Sequence, residues 1–268
     1  MRAQGPVRDA AQAAEATTLV VLGVDHSAQL VGRAYHPGYF RAFIERVHPA
    51  AICIERSPDE FARGDYYELT YEVQHIAVPY ARAHGLDLCP VDWLPSRDDE
   101  RLAFGRLAVV DAPPVRARRD FQGFLVLDRV SLRRSLFNAD SAPDREAARQ
   151  FYDHPRASGW SDFPRRLGLY RTFMQAMRVR GAVAAHRGKT VLVVIGSMHK
   201  DDIERVLGQE PALRIVQPSS YGAPSAAQAD AQLENDDLAA ILSAWRTHLD
   251  WTPTSTRSGT WTSANGLW

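Results

Sequence analysis

Two hydrophobic runs in this chain end the same way. Thr18–His26 reads TLVVLGVDH and Thr190–His199 reads TVLVVIGSMH, so each β-branched run stops at a glycine (Gly23, Gly196) and delivers a histidine three residues later. Runs this apolar, without polar alternation, suit strands covered on both faces, which is the habit of parallel sheets. If both strands share one parallel sheet, His26 and His199 reach the same carboxyl edge, where open α/β sheets hold their ligands.

The intervening sequence supports that reading. Pro37 opens a helix with Phe40, Phe43, Ile44 and Val47 on one face, and Ala51–Glu55 (AICIE) is a second strand, apolar until its last residue. Ser57 and Glu60 form a capping-box pattern around Pro58, and helix is expected from there towards Gly85, divided at Gly64. Leu86–Val91 reads as a third strand ending at Asp92. A β-α-β-α-β order predicts a central, mostly parallel mixed sheet flanked by helices. Residues 94–165 are expected to form a helical insertion with a mobile loop near Asn138–Pro143, and Leu167–His186 a long helix. Thr190–Ile195 is the fourth strand; Asp201 or Asp202 is expected to cap the next helix, with Leu213–Val216 as a further strand.

The domain is thus expected to span 17–217. Before it lies a flexible arm at 1–16; after it come a linker (218–232), an amphipathic helix within Asp236–Trp251 and a tail that packs on the domain or on a second copy of the chain.

Glycine at a strand end lets the chain bend sharply, and the histidine beyond it can bind a divalent metal or move a proton. Glu55 ends its strand on the same side by the same logic; carboxylate and imidazoles together suit zinc, manganese, cobalt or iron. Arg56 is placed to hold an oxyanion or to make a strand-end salt bridge. Glu72 and His75 lie at i, i+3 on one helix face, with Glu72 a supporting residue for the site. Asp92 is a ligand, a histidine orienter or a turn former. The other histidines, among them His36, His48, His84, His154, His186 and His248, read as surface or structural.

Composition narrows the partners. The formal net charge is zero, which gives no reason to expect nucleic acid or a membrane surface. No apolar run has the length of a signal peptide or a membrane span, so a cytoplasmic protein is expected. Cys53 and Cys89 lie in strand-like stretches and read as free, buried thiols. His-Glu-x-x-His, paired Cys-x-x-Cys, a Walker A sequence and Gly-x-Ser-x-Gly are all absent.

With LGVDH, a helix, a strand running into Glu55-Arg56, the helical Glu72, PVDW at 90–93, the Arg171/Met174 helix and GKTVLVVIGSMHKDDIERVL in view, the chain resembles the TraB/PrgY/GumN and Tiki family. That family's wider group includes erythromycin esterases and ChaN haem-binding lipoproteins. The resemblance covers roughly 17–97 and 165–217, and it departs at Trp93, where the family carries arginine. It implies an erythromycin-esterase/ChaN-like α/β fold and a metal-dependent hydrolase of amide or ester bonds. His26, Glu55 and His199 would surround the ion, Asp92 or one of them would act as base, and Arg56 or Arg171 would stabilise the oxyanion. The substrate would be a small molecule or a peptide. Two alternatives stand beside it: a metal-independent esterase-like hydrolase with His26 as general base, and a haem- or ligand-binding protein with a histidine axial ligand.

Overall fold

The computed structural model describes residues 16–66, 70–96, 98, 115–116, 134–153 and 163–249. Along the chain these form β1 (Thr17–Val24), α1 (Pro37–Val47), β2 (Ala51–Ile54), α2 (Pro58–Arg63), β3 (Asp65–Tyr66), α3 (Val78–His84), β4 (Asp87–Pro90), β5 (Val115–Arg116), α4 (Ala142–Asp153), α5 (Phe163–Ala185), β6 (Thr190–Gly196), α6 (Ser197–Leu207), β7 (Leu213–Ile215), α7 (Ala226–Asp230) and α8 (Asn235–Leu249). A π turn over Glu72–Ala77 leads into α3.

Five strands make one sheet in the order β4-β2-β6-β1-β7, and every pairing is parallel. The expected mixed sheet is therefore all-parallel among the described residues; the one antiparallel pair, β3 with β5, is a separate two-stranded ribbon. Alternate strand residues feed two cores. Val20, Leu22, Ile52, Ile54, Leu192 and Val194 pack beneath α1 and the π turn, with Phe40, Phe43, Ile44, Val73 and Ile76. Leu19, Val21, Cys53, Val191, Val193 and Ile195 pack beneath α5 and α6, with Ala176, Val179, Ile203 and Leu207. Removal of both faces from water is why these strands carry no polar alternation.

Three local expectations change. The helix after β6 starts at Ser197, with Gly196 as its N-cap residue, so neither Asp201 nor Asp202 caps it. Those acids lie inside the helix, where Asp201 pairs with Arg145 and Arg149. Asn138–Pro143 is a short 3-10 turn running into α4, with Ala139 buried. Segment 218–232 contains a 3-10 turn (Pro218–Tyr221) and α7, whose Ala229 is fully buried on α1. That approach depends on Gly38, because a Cβ there would come within 2.0 Å of the Ala229 carbonyl oxygen.

The expected arm lies outside the described residues except for Ala16, as do most of the insertion and the tail after Leu249. Among the described residues no helix is long and apolar enough to cross a membrane.

Candidate functional site

The carboxyl ends of four neighbouring strands meet at one place. In the sheet, Val24 of β1 stands opposite Gly196 of β6, while Ile54 of β2 stands opposite Val194 on one side and Pro90 on the other. The next residues along each strand are the acid and imidazole groups: His26 beyond β1, Glu55 beyond β2, Asp92 beyond β4, and His199 in the first turn of α6. Two backbone bonds, from the Val91 N–H to the Ile54 carbonyl and from the Asp92 N–H to the Arg56 carbonyl (both 3.0 Å), carry the β2/β4 pairing past the strand ends.

Glu55 is the hub. It is 3% exposed, and its Oε2 accepts from the Gly196 N–H at 2.5 Å while its Oε1 accepts from Arg171 at 3.0 Å. His26 Nε2 lies 3.9 Å from Oε2, and His199 Nε2 lies 3.7 Å from Oε1. Gly196 sits in this crowding: a Cβ there would lie 3.1 Å from His26 Nε2 and 3.2 Å from Glu55 Oε2, so one of those side chains would have to shift. Gly23 answers a different contact, since a Cβ on it would meet Ala139 at 2.6 Å and the Lys200 chain at 3.1 Å.

Opposite settings hold the two histidines. His26 sits in a short 3-10 turn with a left-handed φ of 38°, a backbone conformation that costs a non-glycine residue of order 1 kcal/mol. Its Nδ1 is 2.8 Å from the fully buried Glu72, whose other oxygen accepts from Gln29. Burial opposes its charge, but the carboxylates of Glu72, Glu55 and Asp25 prevail and raise the imidazole to about 9. His199 is fully buried, and burial together with the Arg171 charge lowers it to about 4, against the pull of Glu55 and Asp92. Its tautomer follows from its neighbours. Arg171 can only donate, and it lies 3.3 Å from Nε2, so the proton is on Nδ1 and is donated to Thr172 Oγ1 at 2.7 Å. The Thr172 hydroxyl in turn donates to the Gly168 carbonyl.

Asp92 anchors Arg171. The guanidinium makes two bonds to it, at 2.9 and 2.8 Å, and Gln175 Nε2 and the Trp93 N–H each add one at 2.8 Å. Burial would raise this carboxyl, but Arg171 and Gln175 hold it below the usual range. Arg178 closes the arrangement by donating to the Asp92 carbonyl. Arg56 is held on other groups: it is fully buried, donates to Thr70 Oγ1 at 2.6 Å, and lies over the Tyr66 ring at 5.5 Å.

The structure therefore gathers His26, Glu55, His199, Arg171, Asp92 and Glu72 into one connected set, with Gly196 wedged in it and Arg56 attached to Thr70 and Tyr66. Sequence reasoning missed Gln29, Thr172, Gln175 and Arg178, which hold the set from behind. It also missed the pair beside its mouth, where Ser197 donates to Asp25 at 2.8 Å and Arg134 bridges Asp25 and Asp144. Asp25 and Ser197 stand inside the two motifs and were readable there. Helical spacing on α5 also put Gln175 (i, i+4) beside Arg171, yet nothing local marked its partner.

The fit to a divalent ion is poor. Among the described residues no group of three or more His, Cys, Asp or Glu side chains is placed to hold a metal. Arg171 accounts for this, because its N–H groups already engage His199 Nε2 and Glu55 Oε1, the lone pairs that an ion would need. As arranged, a guanidinium lies against the His199 and Glu55 atoms that an ion would need.

No family model, curated protein or solved structure matches the chain. The likeness to the TraB/PrgY/GumN and Tiki family accordingly rests on the sequence motifs alone.

Proposed function

We propose that this cluster is the reaction centre of a hydrolase that cleaves an amide or ester bond in a small molecule or peptide without a resident metal. The observation that carries the reading is the setting of His26. Its Nδ1 is braced by Glu72, its Nε2 faces Glu55, and at 17% exposure its side chain reaches solvent while Glu55, Asp92 and His199 are closed off. Two imidazoles driven to opposite protonation states around one carboxylate are the pattern expected of an acid and a structural partner.

In this scheme water attacks the substrate carbonyl and releases its proton to solvent, while Glu55, closed off from that water, keeps His26 cationic. His26, cationic at neutral pH, donates its Nε2 proton to the departing alkoxide or amine. Uptake of a proton from solvent restores His26; the net change is one water consumed and one bond cleaved. Arg171 keeps Glu55 oriented, Asp92 keeps Arg171 in place, and neutral His199 caps the guanidinium from inside. The expected role of Asp92 as base thus gives way to one of anchoring.

The test is turnover of chromogenic esters and fluorogenic peptide amides by the purified chain, with metal analysis and excess chelator. The expected result is chelator-insensitive turnover that falls at least about 100-fold in His26→Asn and Glu55→Gln, both verified as folded. Failure of both substrate classes, or wild-type rates in both variants, overturns the proposal. So does activity that chelator abolishes and added metal restores, which would return His26, Glu55 and His199 to the role of ligands.

A further inference from the structure

Cys53 and Cys89 lie outside the cluster just described, and the sheet places them side by side. They are register partners in the parallel β2/β4 pair, so their side chains leave the same face. Both join the apolar layer beneath α5. Adjacent strands run about 4.8 Å apart, inside the range of Cα separations that a disulfide spans. The two thiols differ in access: Cys53 is fully buried, whereas Cys89, on the end strand of the sheet, is partly exposed. Beyond the end of α5, His186 Nε2 meets Asp87 Oδ2 at 2.9 Å while its Nδ1 donates to the Ala182 carbonyl. Asp87 opens the same strand as Cys89.

We propose that Cys53 and Cys89 are a peroxide-responsive dithiol, with Cys89 the attacking thiolate and Cys53 the resolving thiol. Cys89 attacks one peroxide oxygen, the O–O bond breaks, and the released hydroxide takes a proton and leaves as water. Cys53 then attacks the sulfenic sulfur; the S–S bond forms, the S–O bond breaks, and a second water leaves with the Cys53 proton. The thiols lose two electrons in all and the peroxide gains them. The electrostatics agree with this division of labour. A hydrogen bond from Cys53 lowers Cys89 to about 7 against its own burial, with His186 adding positive charge and Asp87 opposing. The bond would close two residues before Glu55 and three before Asp92, tying together the two strands that present them.

The experiment treats the reduced full chain with hydrogen peroxide, followed by intact mass and peptide mapping. The expected result is a loss of about 2 Da, a Cys53–Cys89 linked peptide, and recovery of both thiols with reductant. In Cys53→Ser, dimedone should trap a sulfenic acid on Cys89 at least about tenfold faster than on Cys53 in Cys89→Ser. Three outcomes overturn the proposal: both thiols survive in the wild type, Cys89 proceeds to sulfinic acid without linkage, or the link joins two chains. The wild-type map decides this even if a serine variant fails to fold.

Discussion

Raising the pH from 6.5 towards 9 should strip this protein of the stability that His26 confers, so the wild-type advantage over His26→Gln should vanish across that interval. An imidazole in an unfolded chain titrates near 6.5, and His26 in the folded protein titrates at about 9. Between these values the native state holds a proton that the unfolded state has lost, so its contribution to stability falls as pH rises. The interval is about 2.5 pH units, and at ~1.4 kcal/mol per unit the stabilisation is about 3 kcal/mol. It is fully present below pH 6.5 and gone above pH 9. His199 works in the other direction: lowered to about 4, it stays neutral while the unfolded state protonates, so stability falls as pH drops from 6.5 towards 4, by a similar amount. Cys89, lowered to about 7, adds stability as pH rises over 7–9, so each histidine's contribution is read as the wild-type curve minus that of its variant. Urea midpoints and slopes taken at half-unit steps from pH 4 to 9.5 measure the curves. The wild-type minus His26→Gln difference should shrink across pH 6.5–9 only, and the wild-type minus His199→Gln difference should shrink as pH falls from 6.5 to 4 only. Parallel wild-type and His26→Gln curves across pH 6.5–9 would refute the reasoning, because Glu72 and Glu55 would then not be holding a proton on His26.

Other perturbations test other parts of the arrangement. Gly196→Ala puts a methyl 3.1 Å from His26 Nε2, so hydrolysis should drop at least about tenfold at a stability cost of about 1–3 kcal/mol, measured by turnover and urea unfolding. Asp92→Asn leaves Glu55 as the remaining buried counter-charge of Arg171 and should cost about 1–3 kcal/mol in guanidinium unfolding. Lys200 is fully buried, donates to the Val21 carbonyl and to Glu204 (each 2.6 Å), and pairs with Asp140 at 3.1 Å. Lys200→Met should therefore cost about 3 kcal/mol, read as a lower melting temperature, because it strands the carboxylate of Asp140.

The three central strands, β1, β2 and β6, were legible because each is a nearly unbroken apolar run. TLVV, AICI and VLVVI have no polar face to misplace, and a mostly parallel sheet was expected once helices separated them; that every pairing in it is parallel came from the structure. The meeting of His26, Glu55 and His199 followed from the sheet, since a shared edge is a property of parallel direction and not of any one residue. Side-chain partners were not legible where they come from distant sequence. Lys200 binds the carbonyl of Val21, 179 positions away, and nothing near either residue signals it. Two misreadings had local causes. The paired acids Asp201-Asp202 look like a cap because caps are acidic, but Gly196 already turns the chain from strand to helix with φ −50° and ψ 135°. Segment 218–232 looks like a linker because its residues are small and polar; burial of Ala229 on Gly38 is a packing fact that composition does not record.

Gly196 ends β6 and caps α6 in a single residue, so no loop separates the central strand from the helix that carries His199. That imidazole can shift only if strand or helix moves as a body. His26, by contrast, hangs from one short turn at the margin of the sheet. An incoming molecule therefore meets a wall fixed by the strand–helix junction on the His199 side, and on the other a histidine fixed by its side-chain contact with Glu72.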